Sequence, residues 1–208
     1  LAMNELRNDF FKKTVQTISY IPHFVSWVTM GSLVYTFLSV DSTGLINNIR
    51  QALFGGERIV FMQEPKYFLP IYLITGLWKG VGWGTILYFA AISSIDQQLY
   101  EAAKIDGAGR WKQMLHVTLP GMLPTITIQL IFALGGLFSS NFDQIYNLQN
   151  DVIRNEVSTI NLYVYYKGLR DQQYSLSTAI GLFQGLISFI LIRGSNWISK
   201  KFSGVGFL

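Results

Sequence analysis

The chain has no cysteine, which removes a disulfide framework, a thiolate metal site and a thiol nucleophile from consideration. Charge is also scarce: Asp, Glu, Lys and Arg make up 13% of the residues, against about 25% in soluble domains. Histidine occurs only as His23 and His116, and no HExxH, GxSxG or P-loop pattern is present. No metal site and no catalytic residue is therefore expected, and the chain has no ATP site of its own. Nucleic acid is excluded as a partner, because the net charge of +4 is small and dispersed and no basic run or aromatic RNA-binding signature occurs.

What is plentiful is apolar. Half of the residues are hydrophobic, with 15 Phe, 11 Tyr and 5 Trp. A hydrocarbon core about 30 Å thick needs roughly 20 mostly apolar residues in helical form. Windows near that length run from Phe24 to Val40, Phe68 to Ile92, Leu119 to Phe142 and Tyr174 to Ile192. They contain no acid, and only the second contains a cation, Lys79. They also lack the polar face at helical spacing that a soluble amphipathic helix shows. The predicted fold class is all-α, a polytopic transmembrane helical bundle with four spans.

Four spans return the chain to its starting side, so residues 1–23, the 93–118 loop and the tail from Arg193 share a compartment. That side holds nine cations, Arg7, Lys12, Lys13, Lys104, Arg110, Lys112, Arg193, Lys200 and Lys201, against six in 41–67 and 143–173. The positive-inside rule makes it cytoplasmic. Trp27, Trp78, Trp83, Tyr67, Tyr72, Tyr174 and Trp197 fall near span ends, as aromatic belts do. Gly76, Gly80 and Gly84 form a small-xxx-small series that predicts close packing of the second span against another helix. Pro22 is expected near the start of the first span, and Pro120 and Pro124 in the first turns of the third, where a missing N–H costs least.

The most distinctive text lies between the second and third spans. Glu101, Ala102 and Ala103 are followed by three residues, Gly107, nine more residues, and then Val117, Thr118, Leu119 and Pro120. The alanine pair favours helix with little bulk, so a short helix could lie flat in a groove on another protein. Gly107 can turn the chain through positive φ. Arg110 to Val117 can then form a second helix that stops near Pro120. A chance tripeptide in an ordinary loop is the alternative, and the full spacing argues against it.

This pattern resembles the EAA motif of permease subunits in binding-protein-dependent ABC importers, which have a MetI-like fold. FFKKTVQTISYIPHFVSWV, WKGVGWGTILYFAAI, NFDQIYNLQN and YSLSTAIGLFQG resemble the branch that imports polysaccharide fragments and complex oligosaccharides, so the likeness covers nearly all of the chain. It implies a six-span core with two spans before the first one seen here, the chain being N-terminally incomplete, and a multi-pass place in a bacterial cell membrane. The implied partners are ABC ATPase subunits, a second permease subunit in a heterodimer, an extracytoplasmic sugar-binding protein and membrane lipid. ATP and Mg would be used by the ATPase subunits, with no cofactor bound by this chain. Within the 93–118 loop and just beyond it, Glu101, Ala102, Ala103, Asp106, Gly107, Arg110, Leu119 and Pro120 would form the ATPase-coupling element. Arg193 and Gly194 depart from the family text, which has a more apolar pair there, and Arg193 is expected to snorkel to the interface.

Sugar sites combine aromatic faces with amide or carboxylate hydrogen bonds, and Trp78, Lys79, Gln129, Asn141, Asp143 and Gln144 are the substrate-path candidates of that chemistry. Lys79 lies about 11 residues inside its span, roughly 16 Å at 1.5 Å per residue. It must face water or a partner, or else snorkel. The amides have an alternative use as interhelical hydrogen bonds. Two rival functions remain. An ion-coupled secondary transporter calls for intramembrane acids or repeated broken helices, and a structural membrane subunit leaves the spaced loop unexplained.

Overall fold

A computed structural model describes residues 9–138 and 141–203; Arg7, counted above among the cytoplasmic cations, lies outside them. The regular elements among the described residues are all helical: α1 (Asp9–Phe24), α2 (Trp27–Phe37), α3 (Leu45–Phe54), α4 (Pro65–Ser93), α5 (Gln97–Ile105), α6 (Arg110–Gln113), α7 (Leu119–Gly135), α8 (Phe142–Leu148), α9 (Arg154–Val157), α10 (Ile160–Tyr165) and α11 (Tyr174–Ser203). A 3-10 turn covers Phe61–Gln63. The described residues form two compact bodies, the first made of 9–19, 81–138 and 183–203, the second of 20–80 and 141–182. Helices α1, α4 and α11 each contribute residues to both.

Two stretches, Arg110–Gly135 and Tyr174–Lys201, are long and apolar enough to cross a membrane. Helix α4 has 29 residues, about 44 Å of helix at 1.5 Å per residue, enough for the hydrocarbon core. Leu182, Phe183, Leu186, Phe189 and Ile190 of α11 are all exposed. An apolar surface of that extent suits lipid or another subunit, not water.

The first window does not form one helix. Of residues 1–23, assigned to the cytoplasmic side, 9–23 all belong to α1, and Pro22 lies in its last turn instead of at a span start. The backbone breaks at Val25 and Ser26. Ser26 is extended and its hydroxyl accepts the Thr29 N–H at 3.1 Å, which caps the start of α2. A proline near the end of one helix and a serine cap at the start of the next together explain the break.

The expected stop near Pro120 does not occur either. Between α6 and α7 the residues Met114–Thr118 form a π turn, and the Leu119 N–H donates to the Met114 carbonyl five residues back. That extra residue widens the helix just before Pro120, whose ring would otherwise press on the carbonyl four residues earlier. Pro120 and Pro124 therefore sit inside a 26-residue helix, Arg110–Gly135. Its far end comes earlier than predicted, so Phe142 opens α8 instead of closing the third span. Helix α11 runs on to Ser203 and carries Arg193, Lys200 and Lys201, which were expected in a tail.

In the second body Val34, Met62, Phe68, Ile145, Leu148, Ile153 and Leu162 pack together, with Leu148 and Leu162 fully buried. Each such side chain contributes about 1.5–3 kcal/mol over an exposed one. Buried Asn47 ties its surroundings together through polar contacts. Its amide donates to the Ser39 and Ile59 carbonyls at 2.8 and 2.9 Å, and its carbonyl accepts the Ile59 N–H at 2.9 Å. In the first body Ala91, Ile92 and Met122 form the core beside Tyr88, Ile95 and Ile126.

The small-xxx-small expectation holds for only one of its three glycines. Gly76 lies against Gln144, whereas Gly80 and Gly84 have open space where a Cβ would be. The tightest approach on α4 is at Gly82, against the Ser19 backbone of α1. Periodicity located the small residues but not the face that meets a neighbour.

Candidate functional site

The 93–118 loop takes its shape from local hydrogen bonds. Asp96 caps α5 by accepting the Gln98 N–H at 2.9 Å. At the other end the Ala108 N–H reaches the Ala103 carbonyl at 2.8 Å and the Gly107 N–H reaches Lys104 at 3.0 Å. Gly107 has φ +76. This paired closure around a left-handed residue is a Schellman motif. It gives the motif spacing a cause: the glycine must stand four residues after Ala103 to close the helix on that carbonyl. Gly109 is extended and precedes α6, and the Gln113 side chain donates back to the Ala108 carbonyl at 2.8 Å.

The base of the loop is fastened to the first body. The Tyr100 hydroxyl and buried Thr118 lie 2.9 Å apart, joining α5 to the π turn. Gly121 packs on Ile95. The rest of the surface points outward. Glu101, Ala102, Asp106, Gly107 and Arg110 are exposed, and Ala103 is half-buried. Leu119 and Pro120 follow the π turn and belong to the long helix, away from the Gly107 turn. Sequence reasoning passed over two neighbours, Ile105 at 87% and Trp111 at 75% exposure. The available signal was a bulky apolar residue on either side of a glycine turn inside a charged loop.

The break between α1 and α2 explains Lys79. Its ammonium donates to the carbonyls of Pro22 (3.5 Å), His23 (2.6 Å) and Val25, and lies 5.4 Å from the Trp27 ring centroid. A helix end leaves carbonyls without intrahelical partners, and here a lysine from α4 supplies the donors. Asp143 joins Lys79 in lining a cavity of about 460 Å³, together with Trp27, Ser26, His23 and Asn147.

Gln144 is buried, and its amide donates to the Tyr72 carbonyl at 2.7 Å and the Thr75 hydroxyl at 3.0 Å. Asn141 precedes α8 and donates to the Gln144 carbonyl oxygen at 3.4 Å. Trp78 is half exposed on α4. Of the six path candidates the structure gathers Lys79 and Asp143 at one cavity and pairs Asn141 with Gln144. Gln129 lies on α7, in the other body.

Long apolar helices joined by an outward-facing helix–turn–helix define a polytopic helical membrane protein. The chain belongs to the family of binding-protein-dependent transport system inner membrane components, whose model matches residues 1–204. It is 45% identical over 206 residues to the polygalacturonan/rhamnogalacturonan transport system permease protein YteP of Bacillus subtilis, covering 99% of this chain and 64% of that one. It is 42% identical over 206 residues to protein LplB of the same organism, with the same coverage of 99% and 64%. The chain thus spans 64% of the length of these two relatives. Among solved structures it resembles a chain of a bacterial alginate ABC transporter in complex with an alginate pentasaccharide-bound periplasmic protein. The TM-score is 0.92 at 37% identity, covering 99% of this chain and 71% of that one.

Proposed function

We propose that the chain is part of a permease subunit in an ATP-driven importer of polysaccharide fragments or complex oligosaccharides, in a bacterial inner or plasma membrane. It forms half of the translocation path beside a sister permease, receives saccharide from an extracytoplasmic binding protein and docks an ATPase subunit. The ATPase subunits use ATP and Mg, and this chain binds neither.

One observation carries the reading: the Schellman closure at Gly107 holds Glu101, Ala102, Asp106 and Arg110 on an exposed surface flanked by Ile105 and Trp111. A rigid, partly apolar protrusion fits a groove on another protein, because little entropy is lost on docking. Ala102 and Ala103 keep the α5 surface low, Glu101 and Arg110 supply polar contacts, and Leu119 and Pro120 carry displacement into the long helix. Along the path, Trp78, Gln129, Asn141 and Asp143 contact sugar, while Lys79 and Gln144 hold the walls in place.

Copurification of the full-length permease with the products of its operon, followed by an ATPase assay with oligosaccharides, tests this reading. Stable association and saccharide-stimulated turnover are expected. A permease that recruits no ATPase would sink it.

A further inference from the structure

The second body carries an aromatic and cationic cavity outside both candidate sites. Tyr146 from α8, Asp151, Arg154 from α9, Tyr165 from α10, and Tyr166, Leu169 and Arg170 from the π turn Tyr166–Arg170 line a space of about 460 Å³. That falls within the range of about 300–1,000 Å³ usual for small-molecule sites. Tyr146 and Tyr165 meet edge to face with centroids 5.3 Å apart. The Arg154 guanidinium lies over the Tyr166 ring at 4.6 Å and Arg170 approaches the same ring at 5.9 Å.

Two guanidiniums converging on one ring repel each other unless an anion joins them. Asp151 pairs with Arg154 and is itself 86% exposed. Arg170 has no carboxylate partner among the described residues, and the Arg154 Nε is buried without an acceptor. With Asp151 set against Arg154, the Arg170 charge remains unbalanced in the cavity lining. A hydrogen bond to Tyr165 raises the Tyr146 phenol above its ordinary pKa, and the two cations offset part of that rise. An arginine fork matches a carboxylate in two-point geometry, and tyrosine hydroxyls donate to and accept from alcohols.

We propose that this Tyr/Arg cavity binds one carboxylate-bearing sugar residue, a uronate, of the incoming saccharide. The proposal rests on the saccharide-import reading and adds to it a charge preference and a place. The cavity is concave and ring-walled, which suits a sugar ring better than the surface of a docking protein.

The test uses the full-length permease complex in lipid nanodiscs, without binding protein, and measures binding of trigalacturonate and of its carboxyl-reduced neutral counterpart by calorimetry. The acidic trisaccharide is expected to bind more tightly. Arg170→Gln should weaken it about tenfold, the scale of one lost charge-assisted contact, and leave the neutral sugar unchanged. Tyr146→Phe, a milder change, should weaken both sugars. Equal affinity for the two sugars in the wild type, or an unchanged preference in Arg170→Gln, overturns the proposal. In a separate pull-down with sugar-free binding protein, an Arg170→Gln variant that loses that association while keeping its trigalacturonate affinity also overturns it and makes the cavity a protein contact. Binding is read without ATP turnover, so failure to recruit an ATPase would count against the importer reading alone.

Discussion

Gly82 and Ser19 bring α4 and α1 together at backbone distance: a Cβ placed on Gly82 would lie 1.9 Å from the Ser19 carbonyl oxygen. Backbone cannot yield as the end of a flexible side chain can, so an added methyl must push the helices apart. Gly82→Ala is expected to cost about 1–3 kcal/mol, the range for overpacking. Gly80→Ala, where nothing stands within 4 Å, should be near neutral. Thermal unfolding of the two variants in detergent makes the comparison, and equal midpoints would refute the contact.

Gly107 tests the loop. At φ +76 with open space around it, the site penalises a side chain through backbone strain and not through collision. Gly107→Val should therefore impair ATPase copurification while membrane insertion stays normal. Gly107→Asn should retain most of the association, because asparagine tolerates the left-handed region. Full transport by the valine variant would contradict the turn.

Lys79→Met removes the ammonium that donates to the His23 and Val25 carbonyls and, at 3.5 Å, to the Pro22 carbonyl, which keeps the Val25 N–H. Loss of these charge-assisted hydrogen bonds to partly buried carbonyls costs about 1–3 kcal/mol in all. The variant should unfold at lower temperature than the wild type, and its Trp27 fluorescence should change as the cation leaves the ring. Lys79→Arg should recover part of the loss. A fully stable methionine variant with impaired transport would instead make Lys79 a substrate contact.

These sites differ in how far the residue order foretold them. The loop was legible because a Schellman closure is local: Ala103, Gly107 and Ala108 determine it with no help from elsewhere. Most of α4 was legible for a similar reason, since its apolar run is continuous. The break at Val25 was hidden because its lysine partner is distant in sequence, and apolar content looks the same on either side. The passage of Pro120 through a long helix depended on a π turn, which periodicity does not report. The Tyr/Arg cavity was missed because its members come from α8, α9, α10 and a π turn whose meeting is tertiary.

Asp171 spans the second π turn by pairing with Lys167 at 2.8 Å, and it holds the ammonium above its ordinary value of 10.5. A raised lysine pKa stabilises the fold fully below the unfolded value of 10.5, and the contribution is lost as pH rises through the folded value. Both groups are solvent-exposed enough for salt to weaken the pair. Competitive acetylation read by mass spectrometry should find Lys167 less reactive in the wild type than in Asp171→Asn near pH 10. The difference should shrink in high salt, and equal reactivity at low salt would remove the pair.

Ile105 and Trp111 offer the sharpest separation of docking from folding. At 87% and 75% exposure they contribute little to the stability of this chain, since burial is what makes an apolar side chain stabilising. A docked partner would bury both, and large aromatic residues at the centre of an interface commonly account for 2 kcal/mol or more of binding. Trp111→Ala should therefore leave the unfolding midpoint of the isolated permease unchanged while weakening ATPase association about thirtyfold, the equivalent of about 2 kcal/mol. Ile105→Asp should act in the same direction by placing a charge in a desolvated contact. If both variants bind ATPase as the wild type does, the protrusion is held by its polar residues alone, and Glu101 and Arg110 become the next pair to exchange.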